Sequence, residues 1–345
     1  MNGSVLLLHR SDYGCCNTLL AEQVGMLGRY TEAFFPELVY VRPQGQIEKR
    51  DSLEGSAFID FPVDQTMIYP DYRRNTAELG KIQSSIDSVR SDADITITSV
   101  WLKGYASPES PYAHNQELAI GRTAALKKHI QQLYRFEGDV ITTDYEPEDW
   151  AGLRRYVERS NLAHRAEIIT LIDGNLEPDA REWKIKRDYP MEYSFLLQNC
   201  YPALRHTDYR IAYTIRSYSD VEEIKRIMCE RPQKLDLNEF YLAAQEYEPG
   251  TDEFTEVFET AVRMFPDDTI ANLNAANAAM RRGDLTSAKR YLAKADDSPE
   301  AVYARGALAI RQKDYDSARR YLNEAKSLGL EQAGITLEQL EKGRR

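Results

Sequence analysis

The sequence predicts two architectures in series: an α/β sandwich, one mixed sheet with helices on it, followed by an all-helical array. Three observations predict this. Between residues 57 and 216, stretches of period-2 apolar alternation take turns with stretches of helical spacing. After Leu235 no strand pattern survives and alanine becomes frequent. Within that second part, residues 282–292 return as residues 312–322, an offset of 30.

The elements follow in order. Residues 1–54 are a weakly patterned lead-in, with an expected short strand at 5–8, helical spacing at 19–30 and a break at Arg42-Pro43-Gln44-Gly45-Gln46. Ala57, Ile59, Phe61 and Val63 alternate with polar or larger neighbours and predict a first strand, with Pro62 suited to its end. Asn75 is placed to cap a helix carrying Leu79, Ile82, Ile86 and Val89 on one stripe. Residues 95–102, rich in β-branched side chains, predict a second strand. A loop over 104–111 and a second helix over 111–134 come next. Residues 138–143 predict a third strand and 147–160 a third helix, with Pro147 suited to its first turn. More helix is expected over 162–183, interrupted at Asp173-Gly174-Asn175. Tyr209, Ile211, Tyr213 and Ile215 alternate with Arg210, Ala212, Thr214 and Arg216 as a fourth strand.

The C-terminal array resembles the tetratricopeptide repeat. Ala276, Ala279, Ala288 and Ala295, then Gly306, Ala309, Ala318 and Ala325, stand where that family lets two helices approach. Phe258, Leu292 and Leu322 are the large apolar residues between them, and Pro266 closes a weaker first copy. The resemblance implies a helix–turn–helix solenoid over 235–343, with 330–343 as a capping helix. It also implies a protein or peptide partner, with Asn272, Asn274, Asn277, Arg281 and Arg305 as candidates for the binding face.

Composition excludes several functions. Lys and Arg number 44 against 55 Asp and Glu, a net charge of −11, which does not suit a general nucleic-acid binder. No stretch approaches the ~18 uncharged apolar residues of a membrane-spanning helix. Four cysteines without a CxxC pair argue against a disulfide scaffold or thiolate zinc site, and five histidines without HExxH argue against a zinc hydrolase. No metal or cofactor is expected. Ser4–Leu8 carries only a short apolar run, below the roughly 7–15 residues of a secretory h-region. Either the protein is cytoplasmic or this chain starts inside a longer gene product.

The segment that carries the function is Gly104-Tyr105-Ala106-Ser107-Pro108-Glu109-Ser110, then Asn115, Leu118 and Arg122. It follows a strand and opens a helix, where backbone N–H groups and a guanidinium favour an anion. It resembles the peptidoglycan-associating C-terminal module of OmpA-like proteins, whose strand ends in Gly-His-Thr-Asp before Asn-x-x-Leu-Ser-x-x-Arg-Ala. Asn115, Leu118 and Arg122 match in type and spacing; Tyr105 replaces the histidine and Ser107 the aspartate. The resemblance implies a βαβαβαβ plan over 55–220, and binding of a stem-peptide diaminopimelate carboxylate by Arg122, with Asn115 and Ser107 beside it. Serine cannot supply the charge that would meet the ligand's ammonium; Glu109 is the candidate replacement.

The segment at 160–205 exceeds the common module, as a cover for the groove or a new surface. A narrower resemblance is to OmpA-like proteins of Gram-negative bacteria in which a β-rich domain precedes the module. Residues 1–54, with Tyr13-Gly14-Cys15-Cys16 and residues 36–43, then represent the tail of that domain. It implies a periplasmic or outer-membrane-associated, non-enzymatic protein, often met beside fimbrial or surface-assembly genes. The alternative is an interaction scaffold for such assembly whose module has lost peptidoglycan binding.

Two further groups have plain readings. Glu146, Glu148 and Asp149 beside Trp150 offer paired carboxylates, but they stand at an expected helix start, where acids are favourable anyway. Arg154, Arg155, Arg159 and Arg165 form either a solvated face or a surface for an acidic partner.

Overall fold

Residues 207–215 alternate so strictly that one face of the strand must be buried, and in the computed structural model this strand is interior to its sheet. The structure describes residues 3–13, 19–31, 34–46, 48–136 and 139–342, the first two stretches by backbone alone. The chain divides into two units, Glu48–Ser217 and Met1–Ile47 with Tyr218–Arg345.

Among the described residues of the unit Glu48–Ser217, four strands and seven helices follow in the order β3 (Lys49–Ala57), α1 (Asn75–Arg90), β4 (Ile95–Tyr105), α2 (Tyr112–Tyr134), β5 (Ile141–Glu146), α3 (Trp150–Arg159), α4 (Arg165–Ile172), α5 (Pro178–Asp188), α6 (Pro190–Asn199), α7 (Tyr201–Leu204) and β6 (Thr207–Ile215). The sheet order is β3-β6-β4-β5; β6 runs antiparallel to both neighbours and β4 runs parallel to β5. Tyr209, Ile211 and Tyr213 of β6 turn to one face, where Ile82 and Ile86 of α1 and Leu126 and Ile130 of α2 complete the core. Period 2 on the strand meets period 3.6 on the helices, which is the sandwich expected from the sequence. The outer strand β3 carries Lys49, Arg50, Asp51 and Glu54, charges that discourage pairing with another chain.

The first strand differs from expectation. It is Lys49–Ala57, and the ladder stops where Ala57 meets Thr207, the first residue of β6. Ile59 stays buried, but Val63 is 86% exposed. Backbone groups beyond Ala57 find side chains instead of a strand, as buried peptide groups must. Glu78 accepts from the Phe58 N–H at 3.0 Å, and Asn75 accepts from the Asp60 N–H at 2.7 Å while donating to the Asp60 and Tyr69 carbonyls at 2.9 Å. Asn75 therefore clamps the 58–74 loop rather than capping α1. The third strand lies at 141–146 rather than 138–143, and α3 starts at Trp150 with Asp149 as its cap, accepting from Gly152 N–H at 2.7 Å.

Helices α3–α7 enclose a core of their own, with Leu153, Ile168, Ile185, Leu196 and Tyr201 fully buried. The long segment between the third and fourth strands is thus a packed helical layer, and its last residues feed directly into β6.

In the other unit, β1 (Gly3–Tyr13) and β2 (Leu19–Thr31) pair as an antiparallel hairpin, Gly3 opposite Thr31. The expected strand at 5–8 lies inside β1. The helical spacing read at 19–30 is strand: a neighbouring partner of matching length satisfies its backbone, and short apolar spacing alone does not separate the two states. Cys15 and Cys16 lie outside the described residues.

The helices that follow are α8 (Val221–Glu230), α9 (Leu237–Ala244), α10 (Asp252–Met264), α11 (Thr269–Arg282), α12 (Leu285–Leu292), α13 (Pro299–Arg311), α14 (Tyr315–Ser327) and α15 (Glu331–Lys342). Asp236, Thr251, Asp268, Asp284, Ser298 and Asp314 cap α9 to α14 in turn with their side chains. The small residues picked out by the repeat are at the helix contacts: Ala276, Ala279, Ala288, Ala318 and Ala325 are buried, and a Cβ on Gly306 would meet Leu322 at 3.1 Å. Among the described residues no helix is long and apolar enough to cross a membrane.

Residues 34–46 belong to the same unit as these helices. They run extended across these helices, opposite to the helix order. The Tyr303 hydroxyl donates to the Glu37 carbonyl at 2.6 Å; Asn277 donates to Val39 O at 2.7 Å; Asn274 accepts from Val41 N–H at 2.9 Å and donates to Val41 O at 2.7 Å; Asp236 accepts from Gln46 N–H at 3.1 Å.

Candidate functional site

At the end of β4 the chain must turn away from the sheet, and the turn falls beside the end of β3 and the start of β6. These three places enclose a cleft of about 270 Å³ within the unit Glu48–Ser217. Its wall from the 58–64 loop includes Phe61 and Asp64; its floor is Gly104; Ser107, Glu109, Arg122 and Arg205 bring the charge and hydrogen-bonding groups.

Arg122 is the key group. It is half-buried on α2, its Nε donating to the Gln65 carbonyl at 3.2 Å and its guanidinium lying over the Phe61 ring at 5.0 Å. Among the described residues no carboxylate comes within 4.0 Å of it, so neither Glu109 nor Glu117 neutralises it. Burial pulls its pKa below the ordinary arginine value, Arg205 adds to this, and Glu109 and Asp64 oppose it. An arginine stays charged under such a shift, so the cleft holds a partly desolvated cation.

Ser107, buried at 2% exposure, accepts from Arg205 Nε at 2.9 Å, and Glu109 pairs with the same guanidinium. A Ser107–Arg205–Glu109 group thus stands where the resembled OmpA-like motif has an aspartate. Arg205 was not legible as a site residue. Its signal was position: it stands just before β6, and with β6 lying between β3 and β4 its neighbour His206 bonds Tyr105 N–H through its carbonyl at 2.8 Å.

Asn115 is buried at the edge of the cleft, with its amide N–H groups engaged inside the protein. Its amide donates to Ser110 O at 2.7 Å and to Glu148 Oε1 at 2.8 Å. Glu148 also accepts from Trp150 Nε1 at 2.8 Å. Burial raises the Glu148 pKa against the pull of these two hydrogen bonds. With both oxygens engaged, Glu148 is a lock between the 107–115 loop and α3, and Asp149 is a helix cap.

The helix start is likewise occupied. Asp179 of α5 accepts from the Tyr112 N–H at 2.8 Å, and Arg122 stands 10 residues farther along α2, about three turns. At the helix start expected to favour an anion, the protein's own Asp179 takes the first N–H, and the cleft extends from Ser110 and Asn115 along α2 to Arg122.

Tyr105 stacks on His206 with centroids 4.3 Å apart. Burial, then Asp208, pushes its phenol up to about 12, so it remains a neutral wall of the cleft. Of the basic group on α3 and α4, Arg154 pairs with Asp173 at 2.8 Å and Arg165 donates to the Ser160 carbonyl at 3.3 Å, whereas Arg155 and Arg159 edge a second, wider depression with Tyr156 and Phe195. Among the described residues no group of three or more His, Cys, Asp or Glu is arranged to hold a metal ion. No protein-family model matches the chain, and no curated protein matches its sequence.

Proposed function

We propose that this protein is a non-enzymatic binding protein of the cell envelope, periplasmic or outer-membrane-associated. Its cleft takes a carboxylate of a peptidoglycan stem peptide, and its helices recruit a protein or peptide partner. One observation carries the reading: Arg122 is half-buried, held from behind by Gln65 and Phe61, and lacks a carboxylate partner among the described residues. A strand order of first, fourth, second, third, with two helices on one face, supports the likeness to the OmpA-like module.

The experiment is co-sedimentation of the full chain with purified diaminopimelate-type sacculi, beside Arg122→Ala. Hydrogen bonds to charged groups contribute about 1.5–3 kcal/mol, so the variant is expected to bind about 10- to 100-fold more weakly. Equal sedimentation of the two proteins would refute the assignment of Arg122.

Glu109→Gln gives a separate prediction. It releases Arg205 from its ion pair and adds a second unpaired guanidinium to the cleft. Binding is expected to strengthen and to become more salt-sensitive. If it weakens instead, Glu109 meets the ligand's ammonium itself.

A second reading is favoured by Arg205. A guanidinium beside Ser107 repels an ammonium where the family's aspartate would attract it. On this reading the module is a scaffold for surface or fimbrial assembly and has lost the stem peptide. Absence of sedimentation in both the parent and Glu109→Gln proteins would select it.

A further inference from the structure

A helical stack that has to bind an extended chain needs two kinds of group: side chains that read the backbone, and pockets that read alternate side chains. The unit formed by Met1–Ile47 and Tyr218–Arg345 has both, and they are already in use.

Asn274 offers its carbonyl to Val41 N–H and its amide to Val41 C=O, at 2.9 and 2.7 Å. That pair of bonds recognises a peptide group whatever its side chain. Asn277 and Tyr303 add bonds to the carbonyls of Val39 and Glu37. Between these backbone contacts sit the anchors. Tyr40 packs edge-on to Phe254 at 5.1 Å and stacks on Phe258 at 5.4 Å. Leu38 is buried among Leu273, Ala304 and Leu308. Phe35 takes the guanidiniums of Arg281 and Arg311 at 5.4 and 4.7 Å from its ring centre. Arg42 donates to Asn238 at 2.9 Å at the far end.

Two asparagines turned inward on successive turns of α11 are costly in a core unless they find partners; the segment's backbone satisfies both polar groups of Asn274 and the amide N–H of Asn277, whose oxygen has no partner among the described residues. Of the residues singled out for a binding face, Asn274, Asn277 and Arg281 meet this segment. Asn272 bonds the Pro266 and Asp268 carbonyls, and Arg305 bonds Asp297, so these two belong to turns.

We propose that this groove is a receptor for an extended peptide and that residues 34–46 are its intramolecular ligand, holding it closed. The partner it fits is a separate protein presenting an extended segment of the same chemistry. That segment has an aromatic residue, an aliphatic one three positions on, a second aromatic two beyond that, and a cation after it, as Phe35, Leu38, Tyr40 and Arg42 are spaced. The proposal deepens the part of the functional reading that gives the helices a partner, and it is independent of the cleft around Arg122. Tethering explains the closure. A segment that binds in trans with a Kd of about 10 μM, acting at an effective concentration of about 1 mM, excludes a competitor about 100-fold.

The test uses the full chain and a fluorescent peptide with the sequence of residues 34–46. In a Leu38→Asp/Tyr40→Ser variant the segment is spoiled and the groove left intact. The peptide is expected to bind this variant about 100-fold more tightly than the parent chain, and Asn274→Ala in the same background is expected to abolish the gain. Tyr40→Phe keeps both ring contacts, and the Tyr40 hydroxyl is buried without a partner among the described residues, so that variant is expected to stay closed.

Should the spoiled variant fail to fold, a protease site inserted after Gln46 in the otherwise unaltered protein replaces it. After cleavage, excess labelled peptide is expected to exchange into the groove, while uncut protein takes up none. Equal binding to cut and uncut protein, or none to the cut protein over a day, overturns the proposal. Concentration-dependent dimerisation of the spoiled variant, seen by light scattering, would give the groove to a second copy and overturn the assignment to a separate partner.

Discussion

Gly104→Ala is expected to destabilise the unit Glu48–Ser217 by about 1–3 kcal/mol, the usual range for overpacking a well-filled interior. The reason is geometric. A Cβ on Gly104 would lie 1.8 Å from Thr123 Oγ1, 3.2 Å from Thr123 Cβ and 3.2 Å from the Ala119 carbonyl. Thr123 is buried and cannot swing clear freely, because its hydroxyl donates to that same carbonyl at 2.7 Å. The turn of α2 from Ala119 to Thr123 would therefore have to lift off β4, and Arg122 within it would move too. Thermal unfolding should fall by about 2–4 °C for each kcal/mol lost in a unit of this size. The double variant Gly104→Ala/Thr123→Ala should recover much of the loss, since it removes the closest atom, and the coupling in that cycle measures the clash. An additive result would mean that the strand and helix separate for another reason.

That glycine was legible as part of the motif, and so was Arg122, because both belong to a local strand–loop–helix segment. The sheet core was legible for the same reason: Ile82, Ile86, Tyr209 and Ile211 follow the periods of the elements that carry them. The alanines of the repeats were legible because a period of 30 copies the same contact twice. What the sequence hid depends on distant pairing. The end of β3 at Ala57 is set by where β6 begins, and the apolar alternation runs on past it. Arg205 joins Ser107 from 98 positions away. Residues 34–46 have no period because their backbone bonds go to side chains of α11, of α13 and of the cap of α9, up to 266 positions away. Extended chain read by asparagines leaves no apolar pattern of its own. Asn115 matched a family motif in type and spacing, yet its bonds to Ser110 and Glu148 make it a positioning residue for the loop; type and spacing do not reveal where an amide points.

Tyr303 is where the largest single effect on the helical unit is expected. Its side chain is fully buried in α13, donating to the Glu37 carbonyl at 2.6 Å and bonding the Thr336 hydroxyl of α15 at 2.9 Å. Tyr303→Ala empties an aromatic site and should destabilise the unit by about 3–5 kcal/mol, as for other aromatic-to-alanine changes in cores. Tyr303→Phe keeps the ring and removes the two hydrogen bonds, at a cost of about 1–3 kcal/mol because the Glu37 carbonyl and Thr336 are left without their partner. The two variants separate packing from attachment. The phenylalanine protein should show faster amide exchange at Val41, whose bond to Asn274 depends on the segment staying down, with little change in the helices. The pH dependence has a definite sign. Burial raises the Tyr303 pKa, so the neutral phenol is the form the fold favours. Its contribution is fully present below the ordinary tyrosine value of about 10 and is lost as pH rises beyond it. Stability of the parent chain should therefore fall above about pH 10 more steeply than that of Tyr303→Phe, because the variant has no phenol to ionise at this site. Denaturant melts at pH 8 and pH 11 decide it. If both proteins lose the same stability between those values, the phenol is not held neutral by the fold, and its bond to the Glu37 carbonyl does not anchor the segment.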